Sequence, residues 1–138
     1  ISPRVNPYKV GDAIVFRHDE ADDYIKRIIG VGGDIIKVES GKVYRNGILI
    51  EEPYLPSGRE THIIVGDRMI EGQEYTVPTG KYLVFGDNRP ESSDSRRFLA
   101  IDPEVNVIKG RVLAVMWPMQ RARIFDNNAV RPINECGK

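Results

Sequence analysis

The sequence has few of the side chains on which most hydrolytic, redox and metal sites depend. It contains two histidines, His18 and His62, and a single cysteine, Cys136. Two separated histidines do not favour a Ser–His–Asp triad or a multi-histidine metal site. One cysteine allows no internal disulfide, and Cys136 lies in a polar C-terminal segment that offers no support for a catalytic thiol.

Other ligand-binding patterns are missing as well. The acidic run at 19–23 is typical of a solvated turn. The glycine-rich stretches at 30–33 and 40–47 lack the spacing of a phosphate loop and precede no predicted helix. We therefore expect no metal and no cofactor.

The chain has neither an excess of one charge nor a long apolar run. Lys+Arg and Asp+Glu number 20 each, so the formal net charge is zero. No basic block stands out, which argues against nucleic acid as a partner. No apolar run reaches the ~18–20 residues that span a bilayer, and no signal peptide is recognisable. We expect a soluble chain of 138 residues with its own hydrophobic core.

A series of short strand patterns makes up most of the sequence. Apolar and β-branched runs predict strands near 12–17, 23–31, 34–39, 42–46, 81–86 and 111–117. The Ser-Gly pair at 40–41 and the Asn-Gly pair at 46–47 supply the positive φ of tight turns. Residues 34–52 are therefore predicted as a three-stranded meander. The fold class is mainly β, with twisted antiparallel sheets.

These elements predict a single β domain over residues 1–118. Helix is expected only as one turn near 102–106. A surface excursion at 53–80, rich in glycine, proline and charge, is predicted to contain a hairpin around the apolar run 62–65. Residues 119–138 are predicted as a polar, loosely held tail.

The strand "YIKRIIGV" at 24–31 carries two adjacent cations among apolar residues. Because side chains alternate across a strand, Lys26 shares a face with Tyr24 and Ile28, and Arg27 shares the other face with isoleucines. A strand lysine often extends to solvent. If Lys26 is buried, its pKa should fall, and a neutral amine can accept a proton from a serine hydroxyl without any histidine.

A dense polar stretch, "GDNRPESSDSRR", follows the buried strand "KYLVF" and occupies residues 86–97. By itself it is typical of a hydrated loop. Polar loops that leave a rigid strand are also where sites are built. This loop could supply the two cations with a carboxylate and a hydroxyl, which buried charges need.

Three segments resemble conserved boxes of bacterial type I signal peptidases. They are "GDAIVF", "YIKRIIGVGGD" and "GDNRPESSDSR", and they occur in the family's order. The resemblance extends through "RNGILIEEPYL", "PTGKYLVFGDNR" and "IKGRVLAVMWP", and covers most of residues 8–118. Gly32 stands where the family often has proline, and Leu99 stands where it usually has glycine.

The resemblance implies a fold of twisted antiparallel sheets of the signal-peptidase type. It implies a serine endopeptidase with a Ser–Lys dyad that removes signal peptides from exported preproteins. Lys26 would be the general base, and Ser92 would hydrogen-bond to the Lys26 amine and orient it. The substrate would be an extended chain with small residues at the first and third positions before the cut.

The resemblance also implies two ion pairs that support the site. Arg27 would pair with Asp87, and Asp94 would pair with Arg96. Lys26 would then be the catalytic cation of the strand, and Arg27 would have a supporting structural role.

The family's nucleophile has no counterpart in the sequence. In the family it lies in a Ser-Met-x-Pro box upstream of the "GDAIVF" box, preceded by a membrane-spanning helix. Ser2 precedes Pro3, but no methionine follows it, and it is too close to "GDAIVF". We therefore expect this chain to be inactive as it stands. The longer protein would lie in the bacterial cytoplasmic membrane with its catalytic domain on the extracytoplasmic side.

Two alternatives remain open from the sequence. The chain could belong to another Ser–Lys peptidase of the same fold, such as a conjugal-transfer protease or an autocleaving repressor. It could also be a non-catalytic relative that only binds extended peptides. A Ser-Met-x-Pro box upstream of residue 1 in the gene would favour an enzyme.

Overall fold

The computed structural model describes residues 8–20, 22–115, 122–125 and 130–133. These residues form ten strands and two short helical turns. The strands are β1 Ala13–Arg17, β2 Asp23–Val31, β3 Ile35–Glu39, β4 Lys42–Arg45, β5 Ile48–Leu49, β6 Tyr75–Thr76, β7 Tyr82–Phe85, β8 Ile108–Val115, β9 Ala122–Phe125 and β10 Val130–Ile133. A 3₁₀ turn spans Arg89–Glu91, and helix α1 spans Ser95–Phe98.

The strands form two antiparallel sheets, which confirms the predicted fold class. The first sheet has the order β10-β9-β8-β1-β2-β7, and the second has the order β5-β4-β3-β6. Strand β2, which carries the two cations, lies between β1 and β7. Lys26 lies opposite Ile14 of β1, and Arg27 lies between Ala13 of β1 and Phe85 of β7. The site residues of β2 are thus held on both sides by backbone ladders.

The meander predicted at 34–52 is present as β3, β4 and β5. Ser40 and Gly41 between β3 and β4 both have positive φ, at 54° and 81°. Asn46 and Gly47 between β4 and β5 do likewise, at 54° and 84°. Paired positive φ values match the twist of the flanking strands, so the two dipeptides set the hairpins as predicted.

The core consists of two apolar clusters that use both faces of β2 and β7. One contains Ile29, Ile36, Val38, Val43, Met69, Val77, Leu83 and Phe85, and the other contains Ile14, Phe16, Ile28, Tyr82, Val84 and Ile101. All four residues of β7 are buried, two in each cluster. The loop that follows β7 therefore starts from one of the most firmly packed strands of the domain.

The excursion at 53–80 lacks the hairpin predicted around 62–65. Residues 53–74, all of which are described, form turns without a strand. Later in the excursion, the two-residue strand β6 pairs with β3. Val65 is 99% exposed, so this apolar run does not bury one face as a strand would. The segment is instead held by backbone bonds from Arg68 and Met69 to the Arg96 carbonyl.

The helical turns lie in the loop after β7 rather than at 102–106. Residues 103–105 form a turn in which the Asp102 carbonyl accepts from Val105 and Asn106. The Asp102 carboxylate caps the turn by accepting from the Glu104 N–H at 3.0 Å. The predicted cap is present, but the turn does not continue into a helix.

Two further findings concern the membrane and the C-terminal segment. Within the described part of the chain, no helix is long and apolar enough to cross a membrane. Strands β9 and β10 fall within the predicted tail and extend the first sheet beyond β8, because the free edge of β8 offers unpaired backbone groups. Residues 116–121 and Cys136 lie outside the described residues.

Both departures from the family pattern have a local structural setting. Leu99 ends α1 with φ 66° and ψ −161°, a conformation that glycine adopts far more easily than leucine. At Gly32, a Cβ atom would lie 2.8 Å from the backbone nitrogen of Gly80. The close approach of the chain before β7 therefore requires glycine at Gly32 in this protein.

Candidate active site

Lys26 is a buried amine at the centre of β2. The residue is 2% exposed, and its amine lies 5.1 Å from the centre of the Tyr24 ring. Burial lowers the pKa of Lys26 from 10.5 to about 8; the charges of Asp94 and Asp87 oppose this shift, and Arg96 adds to it. The amine is therefore far easier to deprotonate near neutral pH than an ordinary lysine.

The Lys26 amine and the Ser92 hydroxyl are in contact, as predicted. Lys26 Nζ donates to Ser92 Oγ at 2.9 Å. Ser92 lies between the 3₁₀ turn and α1, in an extended conformation. The contact joins residues that are 66 positions apart in the chain.

Gly86 is a site residue that the sequence analysis did not identify. A Cβ atom there would lie 2.0 Å from Ser92 Oγ and 3.2 Å from Lys26 Nζ. Real Cβ atoms do not approach other atoms so closely, so only glycine leaves room for the Lys26–Ser92 contact. Its place in the sequence, directly after a buried strand and before a polar loop, could have indicated that Gly86 belongs to the site.

Asp94 and Arg96 form the predicted ion pair, and both are buried. Arg96 donates through Nε to Asp94 Oδ1 at 2.9 Å and through Nη2 to Oδ2 at 2.8 Å. Asp94 is also the N-cap of α1, because its Oδ1 accepts from the Arg96 N–H at 3.0 Å. Its Oδ2 accepts from the Gly86 N–H at 2.9 Å. One carboxylate therefore starts the helix, neutralises the arginine and holds the backbone beside Ser92.

Arg27 and Asp87 form the other predicted pair, on the opposite face of β2. Arg27 donates through Nε and Nη2 to the two Asp87 oxygens at 3.0 and 2.7 Å. The guanidinium also lies 4.0 Å from the centre of the Tyr54 ring. Burial by itself would lower the pKa of Arg27, but the hydrogen bond and charge of Asp87 outweigh it, so the pKa is raised. The pair ties β2 to the first residue of the loop after Gly86.

A third arginine pair joins the loop to the segment after β5, and the sequence did not predict it. Arg89 is 1% exposed and binds Glu52 through Nη1 at 3.1 Å and Nη2 at 2.6 Å. Arg89 Nη1 also donates to Thr61 Oγ1 at 2.7 Å. A buried arginine requires a carboxylate, but the sequence offers many carboxylates and does not say which one is near.

The site combines an amine, a hydroxyl and carboxylates that are neutralised by arginines. In the described residues, no group of three or more His, Cys, Asp or Glu side chains could hold a metal ion. The arrangement is suited to proton transfer between a hydroxyl and a lysine amine.

Comparisons with known proteins identify the family of the chain. The family model described as signal peptidase, peptidase S26, matches residues 1–117. Signal peptidase IB of Staphylococcus aureus (strain Mu50 / ATCC 700699) is 38% identical over 117 residues, covering 78% of this chain and 60% of that protein. Signal peptidase I of Bacillus licheniformis is 36% identical over 124 residues, covering 88% of this chain and 66% of that protein. The chain thus spans less than two thirds of the length of these relatives.

A solved structure shares the fold. The crystal structure of a signal peptidase I from Enterococcus faecalis V583 matches with a TM-score of 0.56 at 24% identity, covering 75% of this chain and 97% of that chain. This likeness confirms the predicted signal-peptidase type of fold. With the family model matching most of its length, the chain belongs to the signal peptidase family, peptidase S26.

Proposed function

We propose that this chain is the main part of the catalytic domain of a serine endopeptidase that removes signal peptides from exported preproteins. The observation that carries the proposal is the buried Lys26 amine, which donates to Ser92 Oγ at 2.9 Å. With a pKa of about 8, an appreciable fraction of this amine is neutral near neutral pH. A positioned neutral amine can serve as the general base of a Ser–Lys dyad.

In this mechanism the neutral Lys26 amine takes the proton from the hydroxyl of a nucleophilic serine. The serine oxygen attacks the scissile carbonyl, and the protonated Lys26 then gives its proton to the leaving amine. In the second half, Lys26 takes a proton from a water molecule that attacks the acyl-enzyme carbonyl. Lys26 then returns this proton to the serine oxygen as the ester bond breaks, so that the signal peptide leaves with a carboxyl group and both residues are restored. Ser92 orients the Lys26 amine throughout. Arg27 with Asp87, and Asp94 with Arg96, hold the strand and the loop in place.

The nucleophile in this proposal is a serine in a Ser-Met-x-Pro box of the longer protein. The named relatives are longer than this chain, and both are called signal peptidases, which supports a longer enzyme. The partners are the signal peptides of exported preproteins. The longer protein would be anchored in the bacterial cytoplasmic membrane, with this domain on the extracytoplasmic side.

A cleavage assay on a preprotein tests the proposal. The longer protein that contains this chain and the serine segment should release the signal peptide, whereas this chain alone should not. Replacing the serine of that segment with alanine should abolish cleavage without changing the thermal melt. Cleavage by this chain alone would mean that one of its own serines is the nucleophile. Peptide binding without cleavage by the longer protein would favour a non-catalytic binding module.

A further inference from the structure

Arg89 makes four side-chain hydrogen bonds, which connect the loop 86–97 to other parts of the fold. Besides its bonds to Glu52 and Thr61, it donates through Nε to the Gly86 carbonyl at 2.8 Å. Its guanidinium lies 5.2 Å from the centre of the Phe85 ring. An arginine with no exposed side-chain surface is retained only when its charge and its N–H groups are satisfied.

Glu52 satisfies that charge from a different part of the fold. It follows β5 and belongs to the chain that leaves the second sheet, 37 positions from Arg89. The Tyr54 hydroxyl donates to Glu52 Oε2 at 2.8 Å. Burial raises the pKa of Tyr54, and the charge of Glu52 raises it further, so this phenol remains a donor. Tyr54 therefore helps to fix the position of the Glu52 carboxylate that binds Arg89.

The Gly86 backbone is held at both ends. Its N–H donates to Asp94, and its carbonyl accepts from Arg89. Arg96 connects the two bonds, because its Nη2 donates to the Arg89 carbonyl at 2.9 Å. Since Gly86 lies directly against Ser92, a displacement of its backbone changes the space in which the Lys26–Ser92 contact forms.

We infer that the Glu52–Arg89 pair positions the candidate site by holding the Gly86 carbonyl, and through it the place where Ser92 meets Lys26. The inference deepens the proposed function and rests on it. Arg89 and Glu52 are positioning residues in this view, since neither is in hydrogen-bond contact with Lys26 or Ser92. The pair also connects the site to the second sheet, because Glu52 lies in the segment that follows β5.

The variant Arg89→Lys tests the inference while it keeps the positive charge. A lysine ammonium can pair with Glu52 but lacks the fork that reaches the Gly86 carbonyl at the same time. With labelled lysine, NMR titration of the Lys26 side chain in this chain should show its pKa rising from about 8 towards 10.5, because a displaced loop admits water to the amine. In the longer enzyme, kcat should fall on the order of 10- to 100-fold with little change in KM.

Arg45→Lys is the matched control. Arg45 binds Asp34 through Nε at 2.9 Å in the second sheet, so the same chemical change is made at an arginine–carboxylate pair outside the site. This variant should leave the Lys26 titration unchanged. An unchanged Lys26 titration in folded Arg89→Lys would overturn the inference, as would an equal shift in both variants. If Arg89→Lys does not fold, the Lys26 side chain is titrated in Glu52→Gln instead. The inference then predicts that the pKa of Lys26 rises in that variant, and an unchanged pKa would overturn it.

The titration separates this inference from the proposed function. It needs no nucleophile and no substrate, so it can succeed or fail whether or not the longer protein cleaves preproteins. If Lys26→Ala left cleavage intact, the proposed function would fail while the titration would still report on the positioning. If Lys26→Ala abolished cleavage and Arg89→Lys left both titration and kcat unchanged, only the positioning role would fail.

Discussion

The loop 86–97 and the excursion at 53–80 are both polar segments without long secondary structure, yet they differ in the interactions that hold them. The loop contains buried Asp94, Arg96 and Arg89, each hydrogen-bonded at several atoms. The excursion instead exposes Ile64 and Val65, which are 59% and 99% exposed. Polar composition therefore does not distinguish a site from a surface loop, whereas the burial of paired charges does.

The largest difference should appear when Lys26, the proposed base, is removed. Lys26→Ala in the longer enzyme should reduce kcat on the order of 10²–10⁴-fold, because no histidine lies in position to replace the amine. The control is Lys37→Ala, which removes a surface lysine paired with Glu39 and should leave kcat unchanged. Preprotein cleavage at saturating substrate measures both. Normal turnover by Lys26→Ala would remove Lys26 from the mechanism.

The same substitution in the two segments should have unequal effects on stability. Asp94→Asn leaves the buried Arg96 charge without a counter-charge and should lower the free energy of unfolding by about 3–5 kcal/mol. Asp67→Asn, in the excursion, weakens a 3.9 Å pair with the half-exposed Arg97. The Asp67 side chain is 6% exposed, but an asparagine oxygen can still accept from the Ile64 N–H, so the change should cost about 1 kcal/mol or less. Urea denaturation of both variants provides the comparison. Equal losses would contradict the contrast between the segments.

Because Lys26 is buried, the free energy of unfolding should change with pH in the alkaline range. The pKa of Lys26 is about 8 in the folded chain and 10.5 when unperturbed, so between these values the unfolded state binds more protons and stability rises with pH. Well below pH 8 the amine is mostly protonated in both states, and the folded state carries a penalty of about 3 kcal/mol. Lys26→Met should therefore be more stable than the parent at pH 7.

That gain should shrink as the pH rises from about 8 through 10.5, because only above 10.5 is the amine mostly neutral in both states. Denaturant melts at pH 7, 9 and 10.5 measure the difference. Lys37→Met, at the surface, is the control and should show no gain. A difference between Lys26→Met and the parent that does not change with pH would show that burial of the ammonium is not its source.

The smallest predicted effect concerns the neighbouring serines of the loop. Ser92→Ala removes one hydrogen bond to the Lys26 amine and should reduce kcat by about tenfold, with an unchanged melt. Ser93→Ala removes an exposed hydroxyl next to it and should have no effect on cleavage. Complete loss of cleavage in Ser92→Ala would instead identify Ser92 as a nucleophile.

Local patterns in the sequence predicted the elements that depend on near neighbours. The dipeptides at 40–41 and 46–47 set the meander because positive φ is a local property of the chain. Apolar and β-branched runs predicted β2 and β7 for the same reason. The hairpin prediction for the excursion was wrong because an apolar run such as 62–65 forms a strand only where a partner edge is available. That availability depends on the fold and not on the run itself.

The family and the identity of Lys26, Ser92 and the two expected ion pairs could be predicted from the sequence, because their motifs are short and ordered along the chain. Only the tertiary structure decided that Lys26 is buried, that Gly86 must lack a side chain, and that Glu52 is the carboxylate beside Arg89. These properties depend on how two sheets and a loop pack against one another. Burial and pairing over 37 to 66 positions leave no local mark in a sequence, since any of many carboxylates could have been the partner.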